Sequence, residues 1–404
     1  MAEENRTRSG SYRQNWTAYN AAQTNERPLF LKLLHELCQG VEELDRINEH
    51  SHLPLRVMLF CMVYKLYLNR PARRLKSELE SLKTEGWISV VPHFNSILNY
   101  MKLETLQPIL QRLIKESCSP LRRIETRFAV DSTGLSVPIR QKYFDRHKGR
   151  FRTKRGWVKL HAMCGVQTNI ITSAEVSKSE AADSSFFHGL VNDTARSFEM
   201  SEVYADGAYT GNGNRRRVLI WGAEPYIAFR SNSVADGEPK SAIWKWMLQQ
   251  FQDKESEFWK HYYARNNIET TFSMIKRKFG DRLYSKTFPG QVNEVLCLVL
   301  CHNLYVIIHS LYELGIDPNF HTDAAVRHPV HEISEQESNK VRERLAALTV
   351  KQPSFWEPME DTQQIPVQAE SASNEDSLPQ TLPPKARKRS RKKKMDSKQL
   401  KMFS

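Results

Sequence analysis

Residues 258–280 read FWKHYYARNNIETTFSMIKRKFG. The stretch has no Pro and no Gly before its last position, so it predicts a single helix of about six turns. At ~100° per residue, Tyr262, Arg265, Glu269 and Lys276 fall within roughly 60° of one another. One carboxylate therefore stands on a polar face, with an arginine a turn before it and a lysine two turns after. Ile268, Phe272, Ile275 and Phe279 form a second stripe about 90° around the axis. The helix is expected to pack by that stripe and to hold Glu269 at the edge of the packed layer.

Upstream, two other acids sit where they could reach that edge. Residues 128–130 predict a short apolar strand ending at Asp131, with Ser132, Thr133 and Gly134 turning behind it. Residues 157–167 and 170–176 predict a hairpin turning at Thr168 and Asn169. Asp183 is an expected N-cap for a helix over 184–198. Residues 203–205 predict another short strand, ending at Asp206, followed by a helix over 214–221 and a fifth strand over 225–229. A short insertion over about 231–257 carries a Trp-rich helix (Trp244, Trp246). The helix of Glu269 follows, and an apolar helix over 292–314 closes the domain. This order is that of a mixed α/β protein in three layers.

If the strands before Asp131 and Asp206 are neighbours, both carboxylates emerge at one sheet edge and Glu269 completes the cluster. Three such carboxylates stay ionised together only when a cation neutralises them. Hard oxygen donors select Mg²⁺ or Mn²⁺. Two such ions ~3.5–4 Å apart can activate an attacking oxygen and stabilise the leaving one at a phosphodiester. Each piece has a plainer reading. An aspartate after a strand is often a turn former, and an i,i+4 Arg–Glu pair is often a surface ion pair worth a few tenths of a kcal/mol. Lys276 could simply be exposed and Tyr262 simply packed. The conjunction of three acids, basic neighbours and a basic chain favours the site.

The net charge is +13 over 404 residues, which points to an anionic partner, nucleic acid first. Residues 385–404 carry ten Lys or Arg against Asp396, so that segment holds +9 of the total. Residues 140–159 hold nine Lys or Arg against Asp145, interleaved with aromatics, in an expected loop between the first two strands. Arg152, Lys154 and Arg155 there, with Arg215 and Arg216 at the start of the 214–221 helix, are expected to meet DNA phosphates. The six cysteines form no CxxC, which suits a reducing compartment. Cys297, Cys301 and His302 lie in an apolar helix and read as buried packing rather than a metal site. No run of ~18 apolar residues predicts a membrane span, and the first sixteen residues have no apolar core of a secretory signal.

Residues 1–15 read as disordered. Residues 16–120 read as a helical domain whose helices after Pro54, Pro71 and Pro92 suit a helix-turn-helix DNA-binding unit or, equally, a plain helical layer. The catalytic domain is assigned to 121–328 and one further helix to 329–351. Residues 352–404 read as a disordered tail, an acidic spacer and then a basic run that suits non-specific nucleic-acid binding or a nuclear localisation signal.

VDSTG (130–134), ADGAYTG (205–211) and YYARNNIETTFSMIK (262–276) resemble the three motifs of bacterial insertion-sequence transposases of the DDE class. Tyr262, Arg265, Glu269 and Lys276 match the Tyr-x2-Arg-x3-Glu-x6-Lys signature of one subgroup at every position. The similarity spans about residues 16–315, including WTAYN near its start; the tail over 352–404 is outside the family pattern. The resemblance implies a ribonuclease-H-like domain with Asp131, Asp206 and Glu269 as ligands to two Mg²⁺ or Mn²⁺ ions. It implies cleavage at the 3′ ends of a mobile element and transfer of the freed 3′-hydroxyls into target DNA, with no covalent enzyme intermediate. It gives Arg265, Lys276 and Tyr262 the role of holding DNA near the cut. Partners implied are double-stranded DNA, as terminal inverted repeats and as target, and a second copy of the chain on DNA. No membrane partner is implied, and the location is the cytoplasm of a bacterial host, at the nucleoid. The insertion after Asp206 is short beside those of some relatives. Two alternatives remain: a nuclease of the same fold without strand transfer, and a domesticated DNA-binding descendant.

Overall fold

The computed structural model describes residues 15–42, 53–137, 156–230, 233, 242–253 and 256–320. Among them a five-stranded sheet runs in the order β3-β2-β1-β4-β5. The strands are β1 (Arg127–Val137), β2 (Gly156–Gly165), β3 (Ile171–Lys178), β4 (Glu202–Ala205) and β5 (Glu224–Ile227). The β1–β2 and β2–β3 pairs are antiparallel, whereas β1–β4 and β4–β5 are parallel. The expected mixed α/β class and the 157–176 hairpin are both present.

The first strand differs from its expectation. Asp131 does not end it, and residues 132–134 do not turn. The pairing with β4 stops at Val130, but β1 continues against β2 as far as Val137. Antiparallel ladder bonds hold Ser132 and Thr133 extended, opposite His161 and Leu160. Asp131 thus sits mid-strand, at the point where one neighbouring strand has run out.

Among the described residues six α-helices precede the sheet: α1 (Trp16–Thr24), α2 (Glu26–Gln39), α3 (Leu55–Tyr67), α4 (Lys76–Thr84), α5 (Phe94–Tyr100) and α6 (Gln107–Ser117). Pro54 caps α3, and Pro71 leads into a 3₁₀ turn, Ala72–Leu75, that feeds α4. Within the sheet region come α7 (Phe187–Ala195), α8 (Asn212–Ile220) and α9 (Ala242–Gln252). After them stand α10 (Glu257–Tyr262), α11 (Asn266–Phe279) and α12 (Phe288–Leu314). Asp183 is not a helix cap. Ala182 takes that position, and the Asp183 carboxylate accepts from Lys159 Nζ at 3.0 Å instead.

The long helix α12 joins the layers. Its length and apolarity would suffice to cross a membrane, but its side chains are buried against α1, α2, α3, α6 and β3. Three polar residues on it are docking pins rather than exposed positions. Asn293 Nδ2 donates to the carbonyls of Met101 and Leu103, and Asn303 pairs with both backbone groups of Ile171. His302 Nε2 donates to the Asn169 carbonyl. Each replaces a hydration bond that burial removes, so the apolar helix takes one register. Cys297 and Cys301 are fully buried, as their apolar setting implies. The core is continuous from Phe30 and Met58 in the helical layer to Phe128 and Val203 in the sheet. Residues 329–404, including the tail, lie outside the described residues.

Candidate active site

Val130 on β1 pairs with Ala205 on β4, so Asp131 and Asp206 follow directly from partnered residues of neighbouring parallel strands. The two carboxylates emerge side by side. Asp131 Oδ1 accepts from the Ser132 amide at 2.7 Å. Asp206 caps the short 3₁₀ turn Gly207–Tyr209, its Oδ1 accepting from the Ala208 amide at 2.8 Å. Burial raises the Asp131 pKa above the ordinary aspartate value; the Ser132 amide and Arg265 pull it back, and the Asp206 charge adds to the rise.

The 258–280 segment is not one helix. It breaks into α10, a 3₁₀ turn over Tyr263–Arg265, and α11. Arg265 therefore sits on the tightened turn rather than mid-helix, and Glu269 lies in the first turn of α11, where its charge suits the helix dipole. The expected stripe is in place: Ile268, Phe272, Ile275 and Phe279 are all buried.

Arg265 spans two of the acids. Its Nη2 donates to Asp131 Oδ2 and its Nη1 to Glu269 Oε1, both at 2.8 Å. Burial would lower its pKa, but Asp131, Tyr262 and Glu269 outweigh that and raise it. Tyr262 stacks on Phe258 and lies within electrostatic reach of Asp131, Asp206 and Glu269; burial is the main cause of its raised pKa. Lys276 Nζ donates to Thr133 Oγ1 at 2.7 Å. Further along, β1 bonds the chain that leaves α11: Ser136 accepts from Leu283 and donates to Asp281. The extension of β1 past Asp131 is thus the rail on which α11 docks.

Residues 122–304 match the family model described as the transposase DDE domain. The chain carries a transposase DDE domain. Among solved structures, the piggyBac transposase synaptic complex with hairpin DNA, determined by cryo-electron microscopy, is similar at 11% sequence identity. That match covers 86% of each chain with a TM-score of 0.34.

Within this DDE domain the donor chemistry of Asp131, Asp206 and Glu269, all carboxylate oxygens, fits a hard divalent cation. Their convergence is incomplete. Among the described residues no three His, Cys, Asp or Glu side chains are grouped so as to hold a metal ion. Asp131 and Asp206 are neighbours, but Glu269 is joined to Asp131 through the Arg265 guanidinium, and its side chain is 59% exposed.

Arg215 does not face DNA. It is 2% exposed, with its guanidinium 4.0 Å from the Phe229 ring centroid and 4.8 Å from that of Trp244. Its Nη2 donates to the Ile227 carbonyl, and burial pushes its pKa down to about 9. It anchors α9 and the β5 end instead of meeting a phosphate. Arg216 is exposed. Arg152, Lys154 and Arg155 lie outside the described residues.

One residue of the site, and the long-range partners of another, went unread in the sequence. Tyr209, inside ADGAYTG, is 1% exposed and lies near Asp131, Asp183 and Asp206. Asn169 adopts φ 68° at the β2–β3 turn. Its side chain accepts from Asn267 Nδ2 at 2.8 Å and Thr271 Oγ1 at 3.1 Å, which pins α11 to the hairpin. The turn signal at Asn169 was legible; its long-range partners were not.

Proposed function

We propose that the chain is a metal-dependent DNA transposase with a ribonuclease-H-like core, cutting element ends and joining the 3′-hydroxyls to target DNA. What carries the reading is that Asp131 and Asp206 follow partnered residues of adjacent parallel strands, with Glu269 tied to Asp131 by one guanidinium. The family match over 122–304 supports transposition as the activity. The strand order, two antiparallel pairs and then two parallel ones, supports the ribonuclease-H-like assignment. Asp131, Asp206 and Glu269 would hold two Mg²⁺ or Mn²⁺ ions. Bound there, the cations would supply Lewis acidity to the oxygens of the scissile phosphate.

The chain's own groups do the positioning. Arg265 offers a planar fork suited to a phosphate once it leaves the carboxylates. Lys276, held at Thr133, is a second cation on the same strand-facing side. Tyr262, within electrostatic reach of the carboxylates, belongs to an aromatic cluster with Phe258 and Trp259. Water is the nucleophile for cleavage and the freed 3′-hydroxyl for joining. Both reactions need an oxygen aligned opposite the leaving group, and a rigid strand-borne pair of carboxylates provides that alignment. The partners of this reading are inverted-repeat ends, target DNA and a second copy of the chain, in a bacterial cytoplasm.

The test combines purified protein, Mg²⁺, a labelled element-end duplex and a supercoiled plasmid. Joined product supports transposition. Cut ends without joining support a nuclease, and a mobility shift without either supports a binding protein.

A further inference from the structure

Lys65 on α3 is 7% exposed, and among the described residues its ammonium makes no hydrogen bond or ion pair. Lys65 lines a cavity of about 320 Å³ between the helical layer and the far end of α11, within the range of small-molecule sites. The walls are Leu66, Leu98, Met101, Phe279 and Leu298. Arg70 and Arg73 also line it. Arg70 pairs with Glu78 at 2.7 Å, and Arg73 lies over the Phe94 ring. Among the described residues the one carboxylate of the lining is Glu294, and its oxygens accept from the Tyr284 and Ser285 amides. With the Arg70 charge taken by Glu78, Lys65 and Arg73 face the single carboxylate of Glu294 across a largely apolar space, an excess of one positive charge. Burial lowers the Lys65 pKa and the charge of Glu294 partly restores it.

We propose that this cavity binds a small organic anion, with an apolar or aromatic body against Leu66, Leu98 and Phe279 and one anionic group on the Lys65 ammonium. The charge excess selects the head group and the walls select the body. The site is separate from the three carboxylates, so the proposal stands whether or not the chain transposes DNA.

The probe is 2-naphthyl phosphate, titrated calorimetrically into the full chain, with neutral 2-naphthol as its comparison. Saturable binding at one site per chain is expected, with 2-naphthol about ten-fold weaker or more, because a charge-assisted bond is lost. Lys65→Met removes the charge at similar volume and should reduce affinity to that of 2-naphthol. Leu98→Trp, at a 39% exposed position on the cavity wall, enlarges a lining side chain while keeping Lys65 and should abolish binding of both. It decides the matter alone if Lys65→Met does not fold. No binding to the wild type, or binding that survives Leu98→Trp, overturns the proposal. Displacement of the probe by a short DNA duplex assigns the cavity to nucleic acid and overturns it equally.

Discussion

Arg265 and Asp131, 134 residues apart in the chain, form an ion pair at 2.8 Å with both side chains only 15% exposed. The same guanidinium reaches Glu269. A cation already resident between two acids opposes a second one. At an effective dielectric of ~20, removing it should strengthen divalent-cation binding by at least about ten-fold. Arg265→Ala should therefore bind Mn²⁺ more tightly in the absence of DNA, read by electron paramagnetic resonance. The same variant should cleave element ends about 100-fold more slowly, because the phosphate loses its fork. Unchanged Mn²⁺ affinity would show that the ion pair does not face the cation site.

Asp206 separates structure from chemistry. Its Oδ1 caps the 3₁₀ turn through Ala208, a bond that an asparagine oxygen can also accept. Asp206→Asn should leave the thermal midpoint within about 2 °C of wild type. Cleavage should fall by roughly 10³-fold or more, since several kcal/mol of charge stabilisation at phosphate is lost. DNA binding measured by mobility shift should persist. Retained cleavage would remove Asp206 from the site.

The acids and their order were legible because the motif spacing is local: VDSTG, ADGAYTG and the Tyr-Arg-Glu-Lys helix each lie within one element or its end. The apolar stripe Ile268–Phe272–Ile275–Phe279 was legible for the same reason. The length of β1 was not. Ser132, Thr133 and Gly134 carry turn propensity, and the ladder with β2, formed by residues farther along the chain, keeps them extended. Nor was the break at Tyr263–Arg265, where no Gly or Pro marks the change and the long-range Asp131–Arg265 pair holds the turn. Arg215 misled because three successive arginines read as a surface run, whereas Phe229 and Trp244 cover the first of them.

Asn169 tests how α11 is held. Its φ of 68° tolerates Gly, but its side chain bonds Asn267 and Thr271. Asn169→Gly keeps the backbone and loses those bonds, so stability should fall by about 1–2 kcal/mol. Asn169→Ala adds left-handed strain and should fall about 1 kcal/mol further. Chemical denaturation of both variants gives the difference. Equal losses would mean that the turn conformation contributes nothing beyond the bonds.

The arginine run separates core from surface by salt dependence. Arg215→Met should lower stability by about 2–3 kcal/mol, through loss of the stacked cation and the Ile227 bond, and leave the salt slope of DNA binding unchanged. Arg216→Ala should leave stability unchanged and reduce that slope by about one unit if it meets a phosphate. A slope change in Arg215→Met, with the fold intact, would return that residue to the DNA interface.

His302 sets an acid limit on the fold. It is 1% exposed, donates to the Asn169 carbonyl, and burial lowers its pKa from 6.5 to about 4. A depressed folded-state pKa means that the unfolded chain takes up the proton first. The contribution of the neutral ring is therefore complete above pH 6.5 and is lost as the pH falls towards 4. Wild-type stability should drop between neutral pH and about pH 5, with His302 responsible for about 2 kcal/mol of the drop. His302→Gln has no such proton to gain. Its stability at neutral pH should be lower, and its loss on acidification should be smaller by about that same 2 kcal/mol, measured by urea unfolding at both pH values. A parallel acid profile in the two proteins would place the sensitivity elsewhere, with the buried His161, whose pKa is also lowered to about 4, the next residue to replace.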